Sequence, residues 1–511
     1  MIQIRLVEHP DHPLSDDGLT AALAECGYSG SPASERVRRE VYCDTFDGRL
    51  LGRGMHLIFR PDRLAWELEQ EGVRIAAAEG DGDPGFGRAL AEEAAGKLGA
   101  KRRLIRFLEV TRREAVHESA APGAGILVVQ SLTYRDPHTD REEQGPRVVV
   151  FEPGTEPSLP ALLRNHLRAA DRLFDPFRDG LSRLGIPIPG APRPGALTLR
   201  PEDSIRLAAG KYLVSQSLVL ESHRRGAVLD LDPEYVHQLR VAARRSRTAL
   251  RELGPHLAAT RGAAIEKELR WLGRGLGNQR DLDVLTLRLP GMLAKLRLEP
   301  ATADAILGAF SARRRAAHED AARALESPRY ARLVQELRDL AGRPIRAGAA
   351  GPVPGPNATI GTEAPSLIHR ALRRVVKRAR RPESLGERQL HRVRIAFKRL
   401  RYLGELVAPV VDPEVTADLD TLAGFQDCLG DLNDATVARR WFRELARVTC
   451  ASPAPDPDFL LGLGGLVHLQ DAKSTKKSGE FLRRWKRFRA EARRLDRRLA
   501  SRPPAGGAGS A

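Results

Sequence analysis

Apolar residues recur every three or four positions through most of residues 201–500, the spacing that places them on one face of a helix. Two such segments read VHQLRVAARRSRTALREL from Val236 and LHRVRIAFKRLRYLGEL from Leu390. Each predicts an amphipathic helix that buries one stripe of its surface. The apolar positions are Val236, Leu239, Ala243, Leu250 and Leu253 in the first segment, and Leu390, Val393, Phe397 and Leu400 in the second.

The first 160 residues have a different pattern, in which short runs rich in β-branched and aromatic residues alternate with turn residues. These runs predict strands that begin near Arg39, Met55, Leu64, Gly125 and Pro146. The segments LSDDGLTAALAECG and GFGRALAEEAAGKLG predict helices between them. The chain is therefore expected to consist of an α+β N-terminal domain, dominated by an antiparallel sheet, followed by an all-α half.

Stretches rich in proline and glycine mark the expected boundaries, because both helices and strands fail there. The predicted organisation is an N-terminal domain over 1–184, a linker over 185–200, a helical bundle over 201–341, a linker over 342–365, a second bundle over 366–500 and a disordered tail over 501–511.

The two basic helices carry matching polar faces. At a constant offset of 154 residues, the following pairs coincide: His237 with His391, Arg240 with Arg394, Arg244 with Lys398, and Arg247 with Arg401. Steps of three and four residues place these side chains on one face of each helix. Like charges one turn apart repel each other, so the duplicated row predicts that a polyanion neutralises it. Arg251 extends the first row by one turn and is a weaker candidate.

A second pair of elements follows the basic helices at an offset of 153 residues. LGNQRDLDVL begins at Leu276 and LGDLNDATVA begins at Leu429. Two elements repeated in order indicate duplication of a helical unit of about 150 residues. Asp281 and Asp434 occupy matching positions, and we expect a structural role for them, as helix N-caps or as carboxylates that orient arginines of the basic row.

Charge is distributed unevenly between the two halves. Residues 1–200 hold 27 Lys and Arg against 30 Asp and Glu, whereas residues 201–511 hold 56 against 36. The helical half alone is polybasic, so a polyanionic partner is expected to bind there. An outer basic face is formed by Lys473, Lys476 and Lys477, and the sequence leaves open whether it contacts the ligand. The cluster Arg313–Arg315 is expected to lie on the solvated surface. Glu67 and Glu69 are also expected to be surface residues.

Four scattered cysteines form no zinc motif or disulfide framework, and no long apolar stretch or signal sequence is evident. The expectation is a cytoplasmic protein without a membrane span, cofactor or metal. The expected function is electrostatic capture of a polyanion without catalysis.

The basic helices and the two LG…D elements resemble those of the CHAD family (conserved histidine α-helical domain). The resemblance spans about 300 residues and implies two four-helix bundles related by a pseudo-twofold axis, with the histidine-led basic helices lining a central cavity. It also implies binding of inorganic polyphosphate and association with polyphosphate granules. The residues that carry it, and that would bind polyphosphate, are His237, Arg240, Arg244, Arg247, His391, Arg394, Lys398 and Arg401.

The segment VYCDTFDGRLLGRGMHLIFR from Val41 resembles the CYTH (triphosphate tunnel) family, which implies a tunnel-like antiparallel sheet. Active members begin with an E-x-E-x-K strand that holds a divalent metal and a phosphate. Here Gln3, Arg5 and Val7 stand at those positions, and the late acidic strand retains only Glu152. The resemblance therefore implies a degenerate, inactive tunnel, which is a candidate for recruiting a protein partner.

Two other functions compete with polyphosphate binding. A nucleic-acid-binding or general polyanion-binding protein would also explain the basic half, although an aromatic content of 5% is poor for base stacking. A triphosphate phosphohydrolase would require the N-terminal domain to retain metal-assisted activity.

Overall fold

A computed structural model describes residues 4–8, 15–25, 27–98, 102–119, 126–151, 167–169, 174–190, 199–254, 259–342 and 358–500. The chain divides into two compact units, Met1–Ala191 and Pro192–Ala511. We call them the N-terminal unit and the helical unit and describe each by itself. The first combines a sheet with helices and the second is helical, which confirms the predicted α+β and all-α halves.

The N-terminal unit is built on one antiparallel sheet in the order β10-β1-β9-β7-β6-β2-β3-β4-β5, with β8 paired to β7. Among the described residues, no pairing joins the two ends of this path, β5 and β10. Its described residues include the helices α1 (Asp16–Glu25), α2 (Pro84–Ala95) and α3 (Pro176–Arg183). The strands are β1 (Ile4–Glu8), β2 (Ser34–Thr45), β3 (Met55–Arg60), β4 (Ala65–Gln70), β5 (Val73–Glu79), β6 (Leu104–His117), β7 (Leu127–Arg135), β8 (Glu142–Gln144), β9 (Val148–Phe151) and β10 (Leu167–Ala169).

The strand expected from the resemblance at the start of the chain is β1, which pairs with β9 and β10. Val7 of this strand is buried. Gln3 and Glu152 lie outside the described residues, as does the side chain of Arg5. Whether the metal-binding strand is degenerate thus stays a prediction from the sequence.

The sheet carries a network of paired charges. Arg60 donates to Glu40 at 2.6 Å, to Glu67 at 2.5 Å and to Glu69 at 3.1 Å, and Arg112 donates to Glu40 at 3.3 Å. Glu67 is buried, so the expectation that it is a surface residue is wrong. Its carboxylate stays charged inside the fold because Arg60 compensates for the lost hydration.

The helical unit contains, in its described part, ten α-helices. Many begin with a proline in the first turn, where a missing N–H costs nothing. They are α4 (Ile205–Val228), α5 (Pro233–Glu252), α6 (Ala259–Leu293), α7 (Pro300–Glu326), α8 (Pro328–Gly342), α9 (Ile360–Arg378), α10 (Glu387–Val407), α11 (Pro413–Ala423), α12 (Phe425–Cys450) and α13 (Pro457–Ala500).

Helix α9 begins within the segment 342–365 that was predicted as a linker. Thr359 and Thr362 form a reciprocal capping box at its start, which satisfies N–H groups of the first turn. Pro365 lies inside the helix, close to its N-terminus, so proline content alone placed the end of the linker several residues too late.

The two duplicated halves share one hydrophobic core. Helices α6 and α7 of the first half contribute Leu289 and Phe310, and helices α12 and α13 of the second contribute Phe442 and Leu463. The rings of Phe310 and Phe442 meet edge to face at 5.5 Å. This burial holds the halves together and fixes how their basic helices approach each other.

Candidate functional site

The two basic helices, α5 and α10, pack against each other. Asp232 starts α5 by accepting a hydrogen bond from the Glu234 N–H, as predicted for an N-cap. The apolar stripes of α5 and α10 are buried: Val236, Leu239 and Leu250 on the first, Val393, Phe397 and Leu400 on the second. Because each helix buries one face in its own half, the matched polar faces are free to line a common surface.

Four cations form the centre of that surface, and we call Arg240, Arg244, Arg394 and Lys398 the central cluster. All are half-buried. Within the part of the chain that the structure describes, none of them forms an ion pair with a carboxylate, and the Nε–H of Arg394 is buried without a hydrogen-bond partner. A half-buried guanidinium with an unused donor is arranged to receive an acceptor from outside.

The charges of the central cluster act on one another strongly enough to shift their pKa values. Burial, together with Arg244, Arg394 and Arg240, lowers the pKa of Lys398 to about 6. Burial, with Arg244 as a neighbour, lowers the pKa of Arg240 to about 10. These shifts have the direction expected when cations converge without enough counter-charge, and a bound anion would reverse them.

One glycine gives the cluster room. The Arg240 guanidinium donates to the carbonyl oxygen of Gly273 at 3.3 Å and passes over α6 at Gly277. A β-carbon at Gly277 would lie 3.0 Å from Nη1 of Arg240. The glycine of the first LG…D element therefore has a local physical role, since it admits the guanidinium.

The two matched histidines differ in environment. Burial and the neighbouring charges of Arg280, Arg244 and Lys398 lower the pKa of His237 to about 3. His237 is therefore neutral at physiological pH and would act as a neutral hydrogen-bonding group, with no added charge. His391 is exposed and its Nδ1 lies 3.2 Å from the side-chain oxygen of Asn433.

The outer members of the basic rows are paired with carboxylates. Glu266 of α6 lies 2.7 Å from Nε of Arg251 and 3.7 Å from Nη2 of Arg247. In the second row, Arg401 donates to Glu405 at 2.8 Å. Each row thus contains central cations without a carboxylate ion pair and an end cation, Arg251 or Arg401, that is hydrogen-bonded to one. Arg247 lies between the two kinds, since its Nε–H is buried without a hydrogen-bond partner.

Asp281 and Asp434 are not N-caps, because they lie in the middle of α6 and α12. Each interacts with an arginine of the other half: Asp281 accepts from Arg440 at 3.4 Å, and Asp434 accepts from Arg288 at 3.0 Å. Burial raises the pKa of Asp281, with Arg240 opposing it. The two carboxylates therefore make a reciprocal exchange between the halves, and a role in orienting arginines of the basic rows stays a prediction.

The predicted outer basic face is partly neutralised. Asp431 lies 3.0 Å from Lys477 and 3.5 Å from Lys473, whereas Lys476 is exposed. Arg314, expected to be solvated, is held by Asp230 and by the buried Asp283 at 2.6–2.7 Å. That expectation was wrong for Arg314, which stabilises the fold.

Arg280 is a site residue that sequence reasoning missed. Its charge lowers the pKa values of both His237 and Arg240, so it lies beside the central cluster. It precedes Asp281 in the first LG…D element, and the matching position in the second element is Asn433. The alignment of the two LG…D elements already placed Arg280 beside Asp281. It was not selected as a site residue because only residues that repeat in both halves were considered, and the matching residue is an asparagine.

Comparison with known proteins follows from this geometry. The family model described as "CHAD domain" matches residues 212–443, from α4 to α12. The chain contains a CHAD domain. The matched range includes the four central residues and both histidines, while Lys473, Lys476 and Lys477 of the outer basic face lie beyond it.

Two curated relatives resemble a larger part of the chain. Uncharacterized proteins of Mycobacterium tuberculosis strains CDC 1551 / Oshkosh and ATCC 25618 / H37Rv are each 30% identical over 349 residues. The alignment covers 65% of this chain and 61% of each relative. This chain therefore matches somewhat under two thirds of the length of those relatives.

Solved structures similar to part of this chain include the CHAD domain from the plant Ricinus communis, with 24% identity and a TM-score of 0.48 over 61% of this chain and 97% of that one. PptA from Streptomyces chartreusis has 21% identity and a TM-score of 0.44 over 56% of this chain and 99% of that one.

The described residues contain no group of three or more His, Cys, Asp and Glu side chains arranged to hold a metal ion. None of the helices in the described ranges is long and apolar enough to cross a membrane.

Proposed function

We propose that the CHAD domain binds inorganic polyphosphate through the facing polar surfaces of α5 and α10. The observation that carries the proposal is the central cluster: Arg240, Arg244, Arg394 and Lys398 converge at a half-buried surface without a carboxylate ion pair among the described residues. Structural stability does not account for such an arrangement, because converging like charges oppose folding. Affinity for an anion does account for it.

The shape of the surface favours a chain of phosphates over one small anion. The four matched positions of each row span about 15 Å along a helix at 1.5 Å per residue. Arginine forks donate two parallel hydrogen bonds to phosphate oxygens, and lysine adds a point charge. Each charge-assisted hydrogen bond contributes roughly 1.5–3 kcal/mol before ordering costs, so several together support tight, salt-sensitive binding.

The proposed roles follow the observed environments. Arg240, Arg244, Arg394 and Lys398 contact phosphate oxygens directly, and His237 and His391 donate hydrogen bonds at the heads of the rows. Asp281 and Asp434 position the neighbouring cations, since each forms an ion pair with an arginine of the other half. We assign no catalytic role to the domain. In the cell, affinity for polyphosphate would place the protein at polyphosphate granules, with the N-terminal unit available to recruit a protein partner.

The proposal is tested by calorimetric titration of the full chain with long-chain polyphosphate at about 0.15 M salt, the ionic strength at which exposed charges are already screened. Duplex DNA at equal phosphate concentration is titrated in parallel. Preference for polyphosphate supports the proposal. Equal or tighter binding of DNA would overturn it and make the surface a general polyanion or nucleic-acid site.

A matched pair of double variants locates the site. Arg240→Ala with Arg394→Ala removes one central cation from each half and is expected to lower polyphosphate affinity at least a hundredfold. Arg315→Ala with Arg489→Ala removes one exposed arginine from each half and should lower it less than fivefold. Equal losses would refute the assignment of the central cluster as the site.

A further inference from the structure

Both basic rows end at a carboxylate. In the second row, Arg401 of α10 donates its Nε–H to Glu405 at 2.8 Å. The other oxygen of Glu405 accepts two hydrogen bonds from Arg245 of α5, at 2.7 Å and 2.9 Å. Glu405 therefore neutralises the last cation of one row and joins the two basic helices at the same point.

The first row ends in the same way with a different residue. Glu266 reaches α5 from α6 and lies close to Arg251 and Arg247, and 3.7 Å from Arg270. The Glu266 side chain is only 16% exposed. The carboxylate remains charged there because three guanidinium groups surround it, and Arg251 lowers its pKa against the effect of burial.

Duplication did not supply this pair of carboxylates. The position that matches Glu405 in the first half is Arg251, and at the 153-residue offset of the LG…D elements, the first of which lies on the same helix as Glu266, the position that matches Glu266 is Leu419. Each half has acquired its carboxylate on a different helix, and in each it meets the last cation of the row. The two halves therefore place a carboxylate against the end cation of the row by different residues. This coincidence indicates that pairing of the end cation is required, whereas a single surface ion pair would not indicate it.

We propose that Glu266 and Glu405 set the two ends of the polyphosphate site and so limit the phosphates that one domain engages to those facing the central cluster. This inference rests on the proposed function. A phosphate that reaches Arg401 or Arg251 must replace a carboxylate already in place, so it exchanges one charged contact for another with little net gain. A phosphate at Arg244 or Lys398 displaces only water.

The salt dependence of binding measures the limit, because each cation neutralised by a flexible phosphate chain adds about 0.7 to the slope of log affinity against log salt. Four central cations predict a slope of about −3 for the wild-type full chain with long-chain polyphosphate. Glu405→Gln releases Arg401 and Arg245, and Glu266→Gln releases Arg247 and Arg251. Each variant should steepen the slope by about 0.7–1.4 and tighten binding several-fold.

Two controls separate this effect from general charge. Glu319→Gln removes a carboxylate from an exposed position on α7 and should leave the slope unchanged. Arg401→Ala in the wild-type background should also leave it unchanged, because Arg401 is already neutralised. Thermal unfolding of each variant verifies that it is folded, and the two glutamate variants test the two ends independently.

The outcomes are distinct. Steeper slopes for Glu405→Gln and Glu266→Gln, with unchanged slopes for both controls, support the inference. Slopes that stay the same in both glutamate variants, or that flatten in Arg401→Ala, overturn it while leaving polyphosphate binding intact. Failure of the wild-type chain to bind polyphosphate overturns the proposed function itself, and the inference with it.

Discussion

The guanidinium of Arg240 lies so close to Gly277 of α6 that a β-carbon there would stand 3.0 Å from Nη1. The terminal atoms of an arginine can move, so the added methyl group would shift Arg240 without breaking the helix. Alanine also favours a helix over glycine by about 1 kcal/mol. Gly277→Ala is therefore expected to weaken polyphosphate binding about three- to tenfold while leaving thermal stability equal or higher.

The duplication provides a control for this variant at the matching position. Gly430 lies in α12, and a β-carbon there would have no neighbour within 4 Å. Gly430→Ala should gain the same helix propensity without any change in affinity. Calorimetric titration and thermal unfolding of both variants test the comparison, and equal affinities for the two would show that Gly277 does not position Arg240.

Lys398 is expected to reduce stability in the absence of an anion. Its folded-state pKa of about 6 lies below the ordinary value of 10.5. Between these values an unfolded chain holds the proton and the folded chain does not, so stability rises with pH through that window. Lys398→Met should remove this rise and increase the melting temperature at neutral pH by about 1–2 °C, equivalent to ~1 kcal/mol in a unit of this size.

Melting curves at low salt, across the pH range of that window, provide the measurement. Lys476→Met removes a lysine from an exposed position and should leave both the pH profile and the melting temperature as in the wild type. A lower melting temperature for Lys398→Met than for the wild type would contradict the proposed repulsion within the central cluster.

Binding of polyphosphate should take up a proton at Lys398. The free protein loses this proton as the pH rises through about 6, whereas the anion favours the charged form and raises the pKa. Affinity is therefore expected to fall progressively as the pH increases from about 6 to about 9. Titrations in two buffers of different ionisation enthalpy reveal the proton uptake, and Lys398→Gln should abolish this component; if it persists, another group titrates.

Arg314 should behave as a structural arginine, in contrast to the central cluster. It holds Asp230 and the buried Asp283, and its loss would leave a buried carboxylate uncompensated. Arg314→Ala is expected to lower the free energy of unfolding by about 3–5 kcal/mol in urea denaturation. Arg315→Ala, one residue along the helix, should change it by less than about 0.5 kcal/mol.

The helical half was predicted well because the repeated segments report directly on one face of a helix. A row of His237, Arg240, Arg244 and Arg247 can be read from spacing alone, and so can its copy. The carboxylate partners could not be predicted in this way. Glu266 reaches Arg251 only because α6 packs on α5, and the exchange of Asp281 and Asp434 between halves depends on the approach of α6 to α12.

In the N-terminal sheet, one long strand was not predicted from the sequence. Strands β3 and β4 were recognised from short apolar runs, but β6, from Leu104 to His117, was missed. Arginines and glutamates interrupt its alternation, since Arg112 and Glu114 belong to the network of paired charges. A strand whose polar residues are buried against opposite charges has no clear hydrophobic period, so only its pairing with β2 and β7 identifies it.

The core shared by α6, α7, α12 and α13 has a consequence for the origin of the chain. Leu289 and Phe442 stand at matching positions of the duplication, 153 residues apart, and both belong to this one core. A single ancestral copy would have exposed that apolar surface to water. Such a copy is expected to have existed as a symmetric homodimer, in which the same patch on two subunits formed the interface. Fusion of two copies then made the interface intramolecular, and each half could afterwards acquire residues that the other lacks.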